Sequence, residues 1–247
     1  MKREKFGSRI GFILVSAGCA IGIGNVWKFP YLAGEMGGAA FILIYLLFLL
    51  IMGIPVLVCE FAIGRASRYS IAEAFETLEP EGTKWHWTKW IGILGSYLLM
   101  MFYTTVAGWM LYYCFRNIRG DFAEAGTKEV EAGFSQMLGN APVMGLWTFI
   151  LITAGFGICW FGIQNGIEKV SKVMMSVLFL IMIVLAVRSV FLEGAGEGVR
   201  FYLIPDFQKM QEIGIGNVIF GAMSQAFFTL SIGIGAMMIF GSYLGKE

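Results

Sequence analysis

Residues Gly18–Pro30 read GCAIGIGNVWKFP and lie inside an apolar run, Ile10–Gly34, long enough to cross a bilayer. A span needs about 20 mainly apolar helical residues. Here three glycines, an asparagine and a lysine stand where a spanning helix favours Leu and Val. Each interior glycine weakens a helix by about 1 kcal/mol relative to Ala. Two readings compete. Gly18-x-x-x-Gly22 is a small-xxx-small pattern that lets two helices approach closely. Alternatively the helix is broken here, and the Asn25 amide and Lys28 charge, which packing does not need, favour the break.

The motif returns further along the chain. Ile21–Gly24 reads IGIG before Asn25, and Ile232–Gly235 reads IGIG before Ala236, preceded by the polar Gln225, Thr229 and Ser231. At membrane depth the backbone leaves the helical ladder only where it lines a cavity or is buried in protein. A break frees carbonyls that can hold a desolvated cation and exposes a half-helix N-terminus that favours an anion. Paired Gly-interrupted spans point to the binding site of a transporter. A dinucleotide-binding reading of Gly22-x-Gly24 fails, because no third glycine or βαβ unit follows.

The rest of the chain agrees. Of 247 residues, 57% are hydrophobic and only 14% charged, against about 25% charged in soluble domains. The net charge of +1 and the lack of a basic run give no hold on nucleic acid. The expectation is an all-α, polytopic membrane protein in a lipid bilayer, one membrane domain over residues 1–247. Its six expected spans are Ile10–Gly34, Ala39–Glu60, Ile91–Phe115, Val143–Ile163, Val170–Phe191 and Val218–Tyr243, with a tight turn at Gln164–Gly166. With the N-terminus cytoplasmic, Lys2, Arg3, Lys5, Arg9, Arg65, Arg68, Lys84, Lys89, Lys169, Lys172 and Lys246 lie inside. Arg116, Arg119, Lys128, Arg188, Arg200 and Lys209 lie outside. That bias satisfies the positive-inside rule. No cleavable signal peptide is visible, so the first span is expected in the mature chain. Cys19, Cys59, Cys114 and Cys159 lack metal-ligand spacing, and His86, among Trp85, Trp87 and Trp90, reads as interfacial. The spans hold no catalytic Ser/His/Asp set, so an enzyme is not expected.

The runs SRIGFILVSAGCAIGIGNVWKFPY, GGAAFILIYLLFLLIMGIPVLVCEFAIGR and QAFFTLSIGIGA, with GIEKVSKVMM and IPDF, resemble the neurotransmitter:sodium symporter family, in its bacterial amino-acid transporter type. The resemblance implies a fold of about twelve spans in two inverted five-span repeats, with helices 1 and 6 discontinuous. This chain matches the first repeat and the first helix of the second. It implies a sodium-coupled amino-acid symporter working by alternating access in the plasma (cell inner) membrane, of which this chain is the N-terminal half. The missing C-terminal half would be its partner.

The same resemblance implies two Na+ sites. Ala20, Asn25 and Thr229 match ligands of the first, and Gly18 and Ile21 match carbonyl ligands of the second. Both are incomplete here, since further ligands belong to spans seven and eight. The substrate carboxylate would meet the Ile23 and Gly24 amides and Tyr103, beside Ala20 and Thr229, while Leu99, Phe228, Ser231 and Ile234 contact its side chain. Gly22 stands where amine-transporting relatives carry an aspartate, which implies a substrate with its own carboxylate. Arg3 and Phe6 match an intracellular gate, with Phe6 where Trp is usual. Lys28, Gln225 and Phe228 match an extracellular gate, with Lys28 where Arg is usual. Ile234 replaces a Phe of some members. Tyr45, Gln225 and Thr229 match positions around a chloride site, and whether Cl− is required is left open. Glu60 is read as a paired helix-end carboxylate, with proton coupling as the alternative. The competing reading of the whole is a non-transporting, receptor-like or helix-packing membrane protein.

Overall fold

The computed structural model describes residues 6–22, 24–122 and 126–244, and these contain helices and turns but no strand. Long apolar runs must satisfy their own backbone hydrogen bonds where no water reaches them, and a helix does so within one segment. The helices are α1 (Arg9–Ala20) and α2 (Gly24–Glu35), bent by 56° across their break, then α3 (Ala39–Ser67), the short α4 (Ile71–Leu78) and α5 (Trp85–Ile118). They continue with α6 (Thr127–Leu138), α7 (Ala141–Trp160), α8 (Ile163–Val190), α9 (Ala195–Leu203), α10 (Phe207–Ile213), α11 (Ile215–Leu230) and α12 (Ala236–Ser242). Among the described residues, α3, α5, α7 and α8 are long and apolar enough to cross a membrane unaided. The apolar windows of α7 and α8 bury none of their residues inside the chain. Such a surface suits hydrocarbon rather than water.

Two details depart from the expected boundaries. The second run stays helical past Glu60 to Ser67, because nothing in FAIGRAS breaks it, and ends where Arg68 turns left-handed (φ 65°). The turn before α8 falls at Phe161–Gly162, where Gly162 takes φ 78°. Residues Gln164–Gly166 are not that turn; they belong to wide π turns that open α8.

Contacts sort the chain into two units, the first taking in Met1–Gly92 and Ile163–Glu247 and the second Ile93–Gly162. In the first, α2, α3 and α11 enclose Ala33, Phe41, Tyr45, Val218, Ala222 and Ala226, where small residues bring the helices close. α12 crosses α3 through two glycines. A Cβ at Gly64 would overlap the Met238 carbonyl, and one at Gly241 would lie 2.7 Å from the Phe61 carbonyl oxygen. α1 lies along α8, with Gly18 facing Met175. In the second unit α5 meets α7 at Gly108, whose Cβ would stand 2.7 Å from the Thr148 hydroxyl. Trp109, Tyr113 and Phe134 cluster beside an Arg116–Asp121 ion pair of 2.9 Å.

Candidate functional site

The first break forms because α1 loses its ladder at Ala20. Ile21 leaves helical geometry (φ −87°, ψ 83°), and the Gly22 N–H turns to the Ala20 carbonyl at 3.2 Å. The Gly22 carbonyl then starts a new turn, accepting the N–H groups of Asn25 at 3.0 Å and Val26 at 3.4 Å. The chain re-enters helix through π turns over Gly24–Lys28, and Pro30 sits in the first turn of the following α-helix, where its missing N–H costs nothing.

The second break separates α11 from α12. Ser231 (φ 51°), Gly233 (φ 90°) and Gly235 (φ 77°) adopt left-handed backbone. Only the latter two do so without a Cβ penalty. The two IGIG motifs are therefore used differently. Among the described residues of the first break, none is left-handed.

Side chains tie the breaks together. Asn25 Nδ2 donates to the Ala20 carbonyl at 3.1 Å. Gln225, fully buried on α11, donates Nε2–H to the Gly24 carbonyl at 3.1 Å. Ser231 donates its hydroxyl to the Cys19 carbonyl at 3.0 Å, and Tyr45 on α3 donates to Thr229 Oγ1 at 3.1 Å. Phe228 lies so close to Gly24 that any Cβ there would enter its ring, and Lys28 Nζ stands 4.9 Å from the centre of that ring. Side chains of α11 and of the residue after it thus bond to backbone carbonyls of α1 and α2 that an unbroken ladder would have consumed.

Glu60 occupies a different place from the one expected. It lies two turns inside α3, not at its end, and is buried (6% exposed). Its Oε1 accepts the Gly233 N–H at 2.6 Å. Sequence reading flagged the residue but not its partner, because the partner is bare backbone from a segment 173 residues away.

Ala20, Gly22, Gly24, Asn25, Lys28, Tyr45, Gln225, Phe228, Thr229 and Ser231 are thus gathered at the two breaks of one unit. Ile21 and Ile234 lie within the broken segments themselves. Gly18 is one turn earlier, where a Cβ would come 3.2 Å from Met175 Sδ, so its missing side chain serves helix packing. Phe6 lies at the other end of α1, edge-on to Phe12 at 5.5 Å and to Tyr243 at 6.3 Å. Leu99 and Tyr103 belong to the second unit, on α5, where the Tyr103 ring meets Phe102 edge-on at 5.9 Å. Arg3 and Ile23 lie outside the described residues. The Cys19 carbonyl was missed in the sequence, which carries no mark of which carbonyl a break will free.

The gathered donors are carbonyl, amide and hydroxyl oxygens, the ligand type a hard cation takes. Asn25 and Ala20 already touch. Turning the Asn25 amide over would present two oxygens to one point, and O and N of an amide are assigned from the hydrogen-bond network.

Comparison with known proteins follows the same lines. The Sodium:neurotransmitter symporter family pattern matches residues 3–131 and 130–247. The chain is 39% identical over 246 residues to the uncharacterized sodium-dependent transporter YhdH of Bacillus subtilis, covering 99% of this chain and 53% of that protein. It is 29% identical over 282 residues to the human sodium- and chloride-dependent taurine transporter, covering 98% and 44%. The crystal structure of MhsT in complex with L-phenylalanine superposes with a TM-score of 0.87 at 39% identity, covering 99% of this chain and 54% of that one. The chain spans about half the length of the curated relatives it matches.

Proposed function

Since the chain belongs to the sodium:neurotransmitter symporter family, a family of transporters, we propose that it is the N-terminal half of a sodium-coupled amino-acid symporter. The observation that carries this is the meeting of the Ala20 carbonyl and the Asn25 amide inside the first break, beside the Cys19 carbonyl that accepts the Ser231 hydroxyl of the second. The Asn25 side-chain oxygen, the Ala20 carbonyl and Thr229 take one Na+, and the carbonyls of Gly18 and Ile21 take part of a second site. By the family resemblance, the amides of Ile23 and Gly24 and the hydroxyl of Tyr103 bind the substrate carboxylate, for which Gly22 leaves room. Leu99, Phe228, Ser231 and Ile234 contact the substrate side chain. An amino acid fits this reading because Gly22 supplies no carboxylate of its own, and the substrate's carboxylate can complete the ion's shell. MhsT is seen with L-phenylalanine, which makes that amino acid a suitable first probe.

Each Na+ entering down a 100 mV potential contributes about 2.3 kcal/mol to uptake. Lys28, Gln225 and Phe228 form the outer gate and Arg3 and Phe6 the inner one. Tyr45, Gln225 and Thr229 offer donors to a chloride ion. Residues 1–247 are read as one membrane domain in the plasma (cell inner) membrane, N-terminus cytoplasmic, completed by a C-terminal half that brings the remaining ion ligands.

Uptake of radiolabelled L-phenylalanine by the intact transporter tests the proposal. Replacing sodium with choline should abolish uptake, and Asn25→Ala should lower it about tenfold or more, the effect of removing one group that binds a charge. Uptake that is indifferent to both changes would refute it.

A further inference from the structure

The short helix α4 takes no part in the sites above, yet it reaches the second break. Its sequence, IAEAFETL, is apolar at Ile71, Ala74, Phe75 and Leu78, the spacing that gives a helix one apolar face. Ile71 and Ala74 are buried and pack with Met238 of α12. Polar bonds hold α4 against the start of α5: Lys89 donates to Glu76 at 2.9 Å, and the His86 N–H donates to Glu79 at 3.0 Å. Ile71, the first residue of α4, is thereby seated between two glycines. A Cβ at Gly92, on α5, would overlap Ile71 Cδ1, and one at Gly235 would stand 2.8 Å from Ile71 Cβ and from the same Cδ1. A β-branched side chain has few rotamers to retreat into, and its Cβ has none. Gly235 is the left-handed residue (φ 77°) that ends the second break and precedes α12. Two residues earlier, Gly233 gives its N–H to Glu60. The exit from the break is thus held at two points, by a carboxylate at Gly233 and by an alkyl group at Gly235.

We propose that Ile71 is a positioning residue: by filling the slot between Gly92 and Gly235 it fixes the backbone of the second break, and with it Thr229 and Ser231. Glycine has the widest choice of backbone conformations, so two glycines at the exit of a break do not select one path by themselves. Ser231 is left-handed as well (φ 51°), a conformation that a residue with a side chain keeps only where its surroundings enforce it. Glu60 supplies that constraint at Gly233. At Gly235 the atoms that define the path are those of Ile71. Gly92 is the abutment, because its bare Cα lets Ile71 lie flat on α5 and still reach the break. The effect on the backbone is independent of what is carried, while the effect on ion and substrate rests on the function proposed above.

Amide hydrogen exchange of the purified protein, read by mass spectrometry, tests the backbone effect. Ile71→Ala should speed exchange in residues 231–237 about tenfold and leave residues 39–48 of α3 at the parent rate. Ile71→Val keeps the Cβ and loses only Cδ1, and should give a smaller rise. Gly92→Ala alone drives Ile71 against the break and should also raise exchange. Added to Ile71→Ala, it returns a methyl group to the place of the lost Cδ1 and should bring exchange back toward the parent. Two substitutions that merely loosened the fold would instead multiply their effects. In the intact transporter, Ile71→Ala should raise the sodium concentration for half-maximal L-phenylalanine binding about tenfold, and Gly92→Ala should reverse part of that rise. Unchanged exchange in residues 231–237, an equal rise in both segments, a double variant at or above the Ile71→Ala rate, or an unchanged sodium requirement overturns the proposal. A parent transporter that binds no L-phenylalanine with sodium refutes the proposed function instead, and the exchange rates alone then decide on Ile71. Should Ile71→Ala not elute as a single species, Ile71→Val decides: a rise confined to residues 231–237 supports the proposal and an unchanged rate overturns it.

Discussion

The seam between α3 and α12 makes one glycine substitution destabilising where the same substitution elsewhere stabilises. At Gly64 a Cβ would overlap the Met238 carbonyl and crowd the same residue's Cα, all backbone atoms that no rotamer change can move. Gly64→Ala gains about 1 kcal/mol of helix propensity. Against that stands overpacking, which costs about 1–3 kcal/mol and falls at the upper end when backbone must give way. The net is about 2 kcal/mol of destabilisation, or a fall of about 4–8 °C in melting temperature for a chain of this size. Gly145 and Gly155 on α7 have nothing within 4 Å of a built Cβ, so Gly145→Ala and Gly155→Ala keep only the propensity gain. Each should raise the melting temperature by about 2–4 °C. Thermal unfolding followed by fluorescence-detected size-exclusion chromatography reads all three. A Gly64→Ala protein that melts at or above the parent temperature would refute the reasoning, because the close crossing would then not exist.

Two further outcomes follow from the same structure. Gly24→Ala places a methyl group in the Phe228 ring, and should weaken sodium-dependent L-phenylalanine binding by the intact transporter about 5- to 150-fold, the range of a 1–3 kcal/mol penalty; the shorter Phe228→Leu should recover part of that loss. Burial works to raise the Glu79 carboxyl, but hydrogen bonds from the His86 N–H at 3.0 Å and the His86 ring at 2.8 Å outweigh it and hold the group below its ordinary value. The contribution of this contact is full above the ordinary carboxylate value of about 4.3 and is lost as pH falls through the lowered one, so amide exchange over Trp85–Trp87, corrected for intrinsic rates, should accelerate at acid pH, and Glu79→Gln should remove that pH dependence.

Much of this protein was legible from local composition. Apolar runs free of charge could only be helices in lipid, and glycines clustered beside Asn25 and Thr229 marked where two of those helices break. Those inferences need only the preferences of neighbouring residues and the absence of water. The two IGIG motifs show where such reading stops. They are identical in sequence, yet one break runs through left-handed glycines and the other does not, because the segments packed against each decide the path of the backbone. Which carbonyl accepts the Ser231 hydroxyl, and which amide donates to Glu60, depends on separations of 212 and 173 residues. Backbone groups are chemically alike in every residue, so the sequence cannot distinguish them. Glu168, at the start of α8, is the same case in another place: its helix and its partner Lys172 are written locally, while its hold on the Gly7 N–H and the Ser8 hydroxyl exists only once α1 lies along α8. The sequence by itself determined what kind of solvent surrounds the chain and where its helices fail; the tertiary structure decided which freed groups meet, because that is set by how closely the glycine-faced helices approach.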